Sequence, residues 1–209
     1  MTSRNLVVAL LAVFGASACG GDDGPTAFAV YPNQIYTGYE AEAGGPTYKV
    51  PIVANDSAAT FSLEAGGEAS VTLTPLGKGE AEIVSKAPGV ARIVVNSPKG
   101  QLTVNVTVQL YTAADRQAGQ AAYMAKDCGM CHDDPRGKND NTPSAIAEHT
   151  DDAVMLNVTT GNDPDGTIIR DFHKFTGVPL GVVAYLRSLP ARQKPGPNLF
   201  TSDDAAELE

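Results

Sequence analysis

Between residues 102 and 110 apolar and polar side chains alternate without a break. Leu102, Val104, Val106, Val108 and Leu110 face one way and Thr103, Asn105, Thr107 and Gln109 the other. Strict period two is the mark of a strand with one buried and one wet face. Weaker versions of the pattern recur upstream at Tyr48–Ala54, Thr60–Ala65, Ala69–Thr74, Glu80–Ser85 and Val90–Asn96. Turn signals separate them, among them Gly66-Gly67, Gly77-Lys78-Gly79, Pro88-Gly89 and Ser97-Pro98-Lys99-Gly100. Six or seven short strands about 10–12 residues apart predict an all-β sandwich over residues 26–110. After Tyr111 the period changes. Thr112 can cap an alanine-rich helix from Ala113 to Asp127. A second helix is expected after Thr150, with Asp151 and Asp152 in its first turn, where the helix dipole favours negative charge. A last helix is expected from near Gly177 to Leu189, ended by Pro190. Residues 111–190 therefore read as an all-α domain, and 191–209 as an acidic tail expected to lack order.

The N-terminus carries a different pattern. Arg4 precedes nine apolar residues, Leu6–Phe14, and then Gly15-Ala16-Ser17-Ala18-Cys19. The apolar run is too short for a bilayer, which needs about 20 residues, so 1–18 reads as a secretory signal peptide. The Ala-Ser-Ala-Cys junction resembles a bacterial lipobox. That resemblance implies lipidation at Cys19, with the Gly/Asp-rich residues 19–25 as a tether. Acyl chains contribute about 0.8 kcal/mol per buried CH₂, so such an anchor holds a protein at a membrane without a spanning helix. Gly20 after the Cys implies sorting to the outer membrane, facing the periplasm or the cell surface.

Composition changes the picture in three places. Lys and Arg number 15 against 24 Asp and Glu, a formal charge of −9, which argues against nucleic acid because neutralising phosphates needs clustered basic residues. The 21 Gly and 14 Pro fit a chain with many turns, while 43% apolar residues is too much for a disordered one. The three Cys are an odd number, at variance with the paired disulfides of an exported protein.

Cys128-Gly129-Met130-Cys131-His132 resolves that count. C-x-x-C-H reads as an attachment site for one covalent haem c. Two Cys three positions apart can each form a thioether with a haem vinyl group, and His132 is then placed as the proximal iron ligand. A thioredoxin-type pair would follow a strand, a zinc site would need a second pair of ligands, and a plain disulfide leaves His132 without a role. One Cys for lipid and two for haem leave no disulfide to assign.

Two family resemblances follow from these motifs. Residues 111–190 resemble the class I cytochrome c family, through Gly119-x-x-x-Tyr123 ahead of Cys128 and through Val183-Ala184-Tyr185-Leu186-Arg187-Ser188-Leu189. The resemblance implies an all-α class I cytochrome c fold whose first and last helices cross with Gly119 against Tyr185. It also implies that the carbonyl of Pro143 orients the His132 ring, a turn role for Pro143 being the alternative. The position where the family carries its distal Met holds no ligating residue here. His173, 41 residues after His132, is the candidate distal ligand. Met155, at a core-facing position of the second helix, and His149, just before that helix, are the others; an open iron is the remaining alternative. Phe172, Phe175, Val178, Leu180 and Val183 are expected to wall the haem. Residues 26–110 resemble the group 2 bacterial Ig-like domains, on Ala81–Val84 and Pro88–Val95, which implies a spacer or, alternatively, an adhesion module.

The expected whole is a monohaem c-type cytochrome lipoprotein with no catalytic residues of its own, carrying single electrons at the bacterial envelope. Residues 111–190 hold seven basic against eleven acidic residues, so the redox partner is expected to dock through a basic face. Two other functions fit the same residues: a haem-based small-ligand sensor with an open distal site, and an adhesion lipoprotein acting through its Ig-like part.

Overall fold

The computed structural model describes residues 27–133, 140–162, 174–192 and 194–196. The expected signal peptide, Cys19, Phe172, His173 and the tail beyond residue 196 lie outside them. Eight strands come first: β1 (Val30–Tyr31), β2 (Gln34–Glu40), β3 (Lys49–Ala54), β4 (Thr60–Leu63), β5 (Val71–Gly77), β6 (Glu80–Ser85), β7 (Gly89–Ser97) and β8 (Gly100–Tyr111). They form two four-stranded sheets ordered β1-β3-β6-β5 and β2-β8-β7-β4. All pairings are antiparallel except β2 with β8, which runs parallel from Gln34 opposite Asn105 to Glu40 opposite Tyr111. This is the strand order of an Ig-like sandwich, in which an early strand crosses over to pair with the last one. The inward residues of both sheets, among them Ile35, Val50, Ile52, Ile83, Ile93, Val95, Val104 and Val106, make one continuous core.

Among the described residues five helices follow: α1 (Ala113–Ala125), α2 (Gly129–His132), α3 (Pro143–Ile146), α4 (Asp151–Thr160) and α5 (Gly181–Ser188). Thr112 caps α1 as its sequence suggests. Its hydroxyl oxygen accepts from the Asp115 N–H at 3.1 Å while the Asp115 carboxylate reaches back to the Thr112 N–H at 3.2 Å. Thr150 caps α4 in the simpler way, accepting from the Ala153 N–H at 3.2 Å. Among the described residues no helix is long and apolar enough to cross a membrane.

The expected fold class does not hold in its second half. In place of a separate all-α class I cytochrome c fold, the described residues are mostly β-sheet, with helices of at most 13 residues and two of only four. Helices this short bury too little apolar surface to stand alone. They share theirs with the sandwich instead. Ala147, just after α3, belongs to the sandwich core, and Ala184 of α5 packs with Tyr48, just ahead of β3, and with Tyr111 at the end of β8. The expected pairing of Gly119 with Tyr185 is also different. A Cβ on Gly119 would lie 1.9 Å from the carbonyl oxygen of Gly181, so α1 and α5 meet backbone to backbone. Tyr185 faces Tyr123 instead, with ring centroids 5.2 Å apart. At the end of β8 the alternation breaks, too: Leu110 is exposed and Tyr111 is buried, its hydroxyl donating to Asp151 at 2.7 Å.

The joint between sheet and helices is polar and buried. Arg187 of α5 is 1% exposed. Its Nε donates to Asp151 Oδ1 at 3.1 Å, its Nη2 to the carbonyl of His149 at 2.6 Å, and its Nη1 to the carbonyl of Tyr36. The Tyr36 N–H in turn donates to the carbonyl of Ala147 at 2.8 Å. β2 is an edge strand, and its outward backbone groups at Tyr36 are thus satisfied by the helical segments rather than left open for pairing. A second knot lies nearby, where buried Glu40 accepts from Tyr48 Oη at 2.6 Å and from Arg116 Nε at 2.7 Å. Removing one partner of a buried, hydrogen-bonded pair strands the other, at a cost of about 3–5 kcal/mol. Arg187→Met is expected to lower unfolding stability by that order in urea titrations, and Arg187→Lys, which keeps the charge but loses the planar fork, to recover only part. Wild-type stability in Arg187→Met would refute the role of this joint.

Candidate functional site

The C-x-x-C-H segment is delivered by the way α1 ends. Lys126 is the last capping residue and Asp127 turns left-handed at φ 54°. The Asp127 N–H donates to the Met124 carbonyl at 3.1 Å and the Cys128 N–H to the Tyr123 carbonyl at 3.1 Å. These two bonds are the reversal that commonly closes helices, with Asp in a position its short polar side chain tolerates. The chain therefore folds back, and the next residues form α2 beside Tyr123. The His132 N–H donates to the Cys128 carbonyl at 3.1 Å, closing one helical turn. Residues three and four apart lie on one helix face, so Cys128, Cys131 and His132 are presented together. Cys128 is half-buried and Cys131 exposed, and neither forms a disulfide. Burial pushes the Cys128 thiol up from its ordinary value.

α2 is held from three sides. A Cβ on Gly129 would lie 2.4 Å from Asp133 Oδ2, so the small residue lets the Asp133 carboxylate pack over the turn. Asp133 Oδ1 accepts from Tyr123 Oη at 3.3 Å and from Arg192 Nη2 at 2.5 Å. Arg192 also donates through Nη1 to the carbonyl of His132, and its backbone N–H reaches Thr142 Oγ1 at 3.3 Å. Sequence reasoning placed Arg192 in the tail and gave it no role; a contact spanning 60 residues leaves no local signal. Two residues on, Lys194 pairs with Glu80 of the sandwich at 2.6 Å.

Beside this turn opens a narrow cleft enclosing about 40 Å³, well below the ~300–1,000 Å³ typical of small-molecule and cofactor sites. Its wall is apolar, from Tyr123, Val158, Phe175, Val178, Val182 and Leu186, while Cys128, His132 and Asn141 bring the polar atoms. Phe175 and Val178 thus stand where the sequence expected haem-walling residues; Leu180 is exposed and Val183 is fully buried outside the lining. Met155 packs against the cluster built on Tyr123, Ile146 and Val154, as a core residue would. His149 lends its backbone carbonyl to Arg187. Pro143 is buried at the first position of α3, and Asn141, two residues before it, is the one that lines the cleft. Among the described residues no group of three or more His, Cys, Asp or Glu could hold a bare metal ion. The donor set suits a group attached by carbon–sulfur bonds and ligated by a single imidazole. Two thiols and a histidine stand on one turn, Cys128 and His132 lining the apolar slot, and these are the side chains a haem c would need.

No protein-family profile and no curated protein sequence matches the chain. Solved structures similar to it are Ig modules. Titin module M5 matches at 16% identity and a TM-score of 0.31, covering 40% of this chain and 93% of that one. The M1 domain of titin matches at 17% and 0.30, covering 42% and 95%. The Ig7 domain of Dscam1 matches at 13% and 0.29, covering 40% and 96%. The Ig-like assignment stands on strand order and register.

Burial pushes the Tyr123 hydroxyl from its ordinary 10 to about 12, with an Asn141 hydrogen bond pulling it down and the Asp133 charge adding to the rise. Between these values the unfolded chain has lost a proton that the folded one keeps, so stability is intact below pH 10 and falls as pH climbs toward 12. Tyr123→Phe removes that ionisation. Its unfolding free energy is expected to decline less steeply than wild type's across this window; equal slopes would show that Tyr123 does not contribute.

Proposed function

We propose that this chain is a c-type haem protein that carries single electrons at the bacterial cell envelope. Cys128 and Cys131 hold one haem through thioethers and His132 ligates its iron. The observation that carries the reading is the placing of these three residues on one turn, with Cys128 and His132 lining an apolar cleft. When bound, haem supplies a one-electron couple, and the redox chemistry belongs to the cofactor. The protein's own residues do the rest. The α2 turn fixes the two sulfurs and the imidazole relative to the wall, and Val158, Phe175, Val178 and Leu186 exclude water from one side. Arg192 and Tyr123, meeting on Asp133, stop the turn from fraying. The distal ligand we assign to His173 rests on its spacing from His132 alone. A second imidazole gives a lower potential than a thioether would.

The lipobox-like residues around Cys19 support a membrane-anchored lipoprotein. The sandwich then serves as a rigid mount, and the acidic balance favours a partner with a basic docking face, steered by charges that salt screens. The test is covalent attachment. Mature protein made in a host that matures c-type cytochromes is expected to stain for haem on a denaturing gel. Single Cys128→Ala or Cys131→Ala variants should retain less and the double variant none, while His132→Ala changes the visible spectrum. Absence of covalent haem in the wild-type protein refutes the proposal.

A further inference from the structure

Arg192 belongs to no helix, yet it touches the turn that carries the chemistry. The chain leaves α5 extended at Leu189, which packs on the cluster around Tyr123. Three residues on, the Arg192 N–H donates to Oγ1 of the fully buried Thr142 at 3.3 Å. Lys194 then pairs with Glu80 of the sandwich at 2.6 Å, and Pro195 is buried. The backbone of Arg192 is pinned on both sides, so its side chain has little choice of direction. Nη1 donates to the carbonyl of His132 and Nη2 to Asp133 Oδ1 at 2.5 Å. The first acceptor ends α2, where a helix leaves carbonyls without a donor of its own and a basic side chain can supply one. Asp133 is held independently as well, since its Oδ1 also accepts from Tyr123 Oη at 3.3 Å. Its charge therefore stays in place when Arg192 is replaced.

The inference rests on the haem reading of the site. On that reading the carbonyl that Arg192 grips belongs to the residue that ligates the iron. We infer that Arg192 is a positioning residue for His132 and, through its charge, a determinant of the haem potential. Reduction adds a negative charge to the couple, so a nearby cation favours the reduced form and a nearby anion the oxidised form. Arg192 and Asp133 stand on the same turn with opposite signs, and their pairing keeps the local field near balance. Removing either leaves the other's charge alone beside the iron ligand. The two losses push the potential in opposite directions. A pair that only braced the turn would loosen it in the same way on losing either member. With the Arg192 side chain 27% exposed and that of Asp133 53%, water and salt reach both charges, so the effect is modest and falls as salt rises.

The experiment uses the full chain in two forms. In the haem-loaded protein the midpoint potential is measured at low and at high salt. Arg192→Gln is expected to lower it and Asp133→Asn to raise it. Each shift should be about threefold in the oxidised-to-reduced ratio at the wild-type midpoint, about 28 mV for a one-electron couple, and should shrink at high salt. Arg192→Lys keeps the charge and is expected to restore most of what Arg192→Gln loses. In haem-free chains carrying Cys128→Ala and Cys131→Ala, the Asp133 amide, bonded to the Gly129 carbonyl at 2.9 Å, reports on the turn itself. Adding Arg192→Gln there is expected to speed its hydrogen exchange severalfold. Potential shifts of the same sign in Arg192→Gln and Asp133→Asn, or no shift in either, overturn the inference. Unchanged amide exchange overturns the positioning role. If Arg192→Gln takes up no haem, Asp133→Asn decides, and a potential that does not rise overturns the charge role. Absence of covalent haem in the wild-type protein refutes the functional proposal itself. Covalent haem with unresponsive variants refutes only the role of Arg192.

Discussion

Everything on the helical side depends on how one buried cation is satisfied. A guanidinium shut away from water is tolerable only when its donors all find acceptors of suitable geometry. Arg187 meets that condition by drawing on three parts of the chain at once: the edge strand β2, the α3–α4 corner and the first residue of α4. Asp151 serves twice, accepting from Arg187 and from Tyr111, while standing where the α4 dipole favours a carboxylate. The bonds leave little choice about where α5 lies. Since α5 crosses α1 backbone to backbone at Gly119 and Gly181, the end of α1 is fixed too, and with it the turn that carries Cys128, Cys131 and His132.

The site is thus built by successive local decisions on a frame set by the sheet. Asp127 reverses the chain, one helical turn aligns two thiols and an imidazole, and Gly129 admits the carboxylate that Tyr123 and Arg192 share. None of these residues needs to be large or rare. Their effect comes from satisfying one another in a confined space, where a half-met hydrogen bond is costly and a met one is directional.

Legibility in the sequence followed the range of the interactions. The C-x-x-C-H spacing is visible because the whole motif lies within five residues. The helix caps at Thr112 and Thr150 are visible for the same reason, as are the strands with clean alternation, β8 foremost. β2 was not, because Gln34–Glu40 buries Thr37, Gly38 and Glu40, polar or small residues whose partners Tyr48, Tyr111 and Arg116 lie elsewhere in the chain. α3 is four residues long, too short for periodicity to register. The separate all-α fold was inferred from motifs that describe α1 and α5 but say nothing of what covers their other faces. Arg192 escaped notice since a donor becomes significant only once folding brings it to the His132 carbonyl.

Strand β8 passes into helix α1 through Thr112 alone. Modules joined by flexible linkers can swivel, and each searches for its own partner through the freedom the linker allows. A one-residue joint, clamped on both sides, removes that freedom. The sandwich turns whenever the cleft turns, so the two move through solution as one body and share a single orientation.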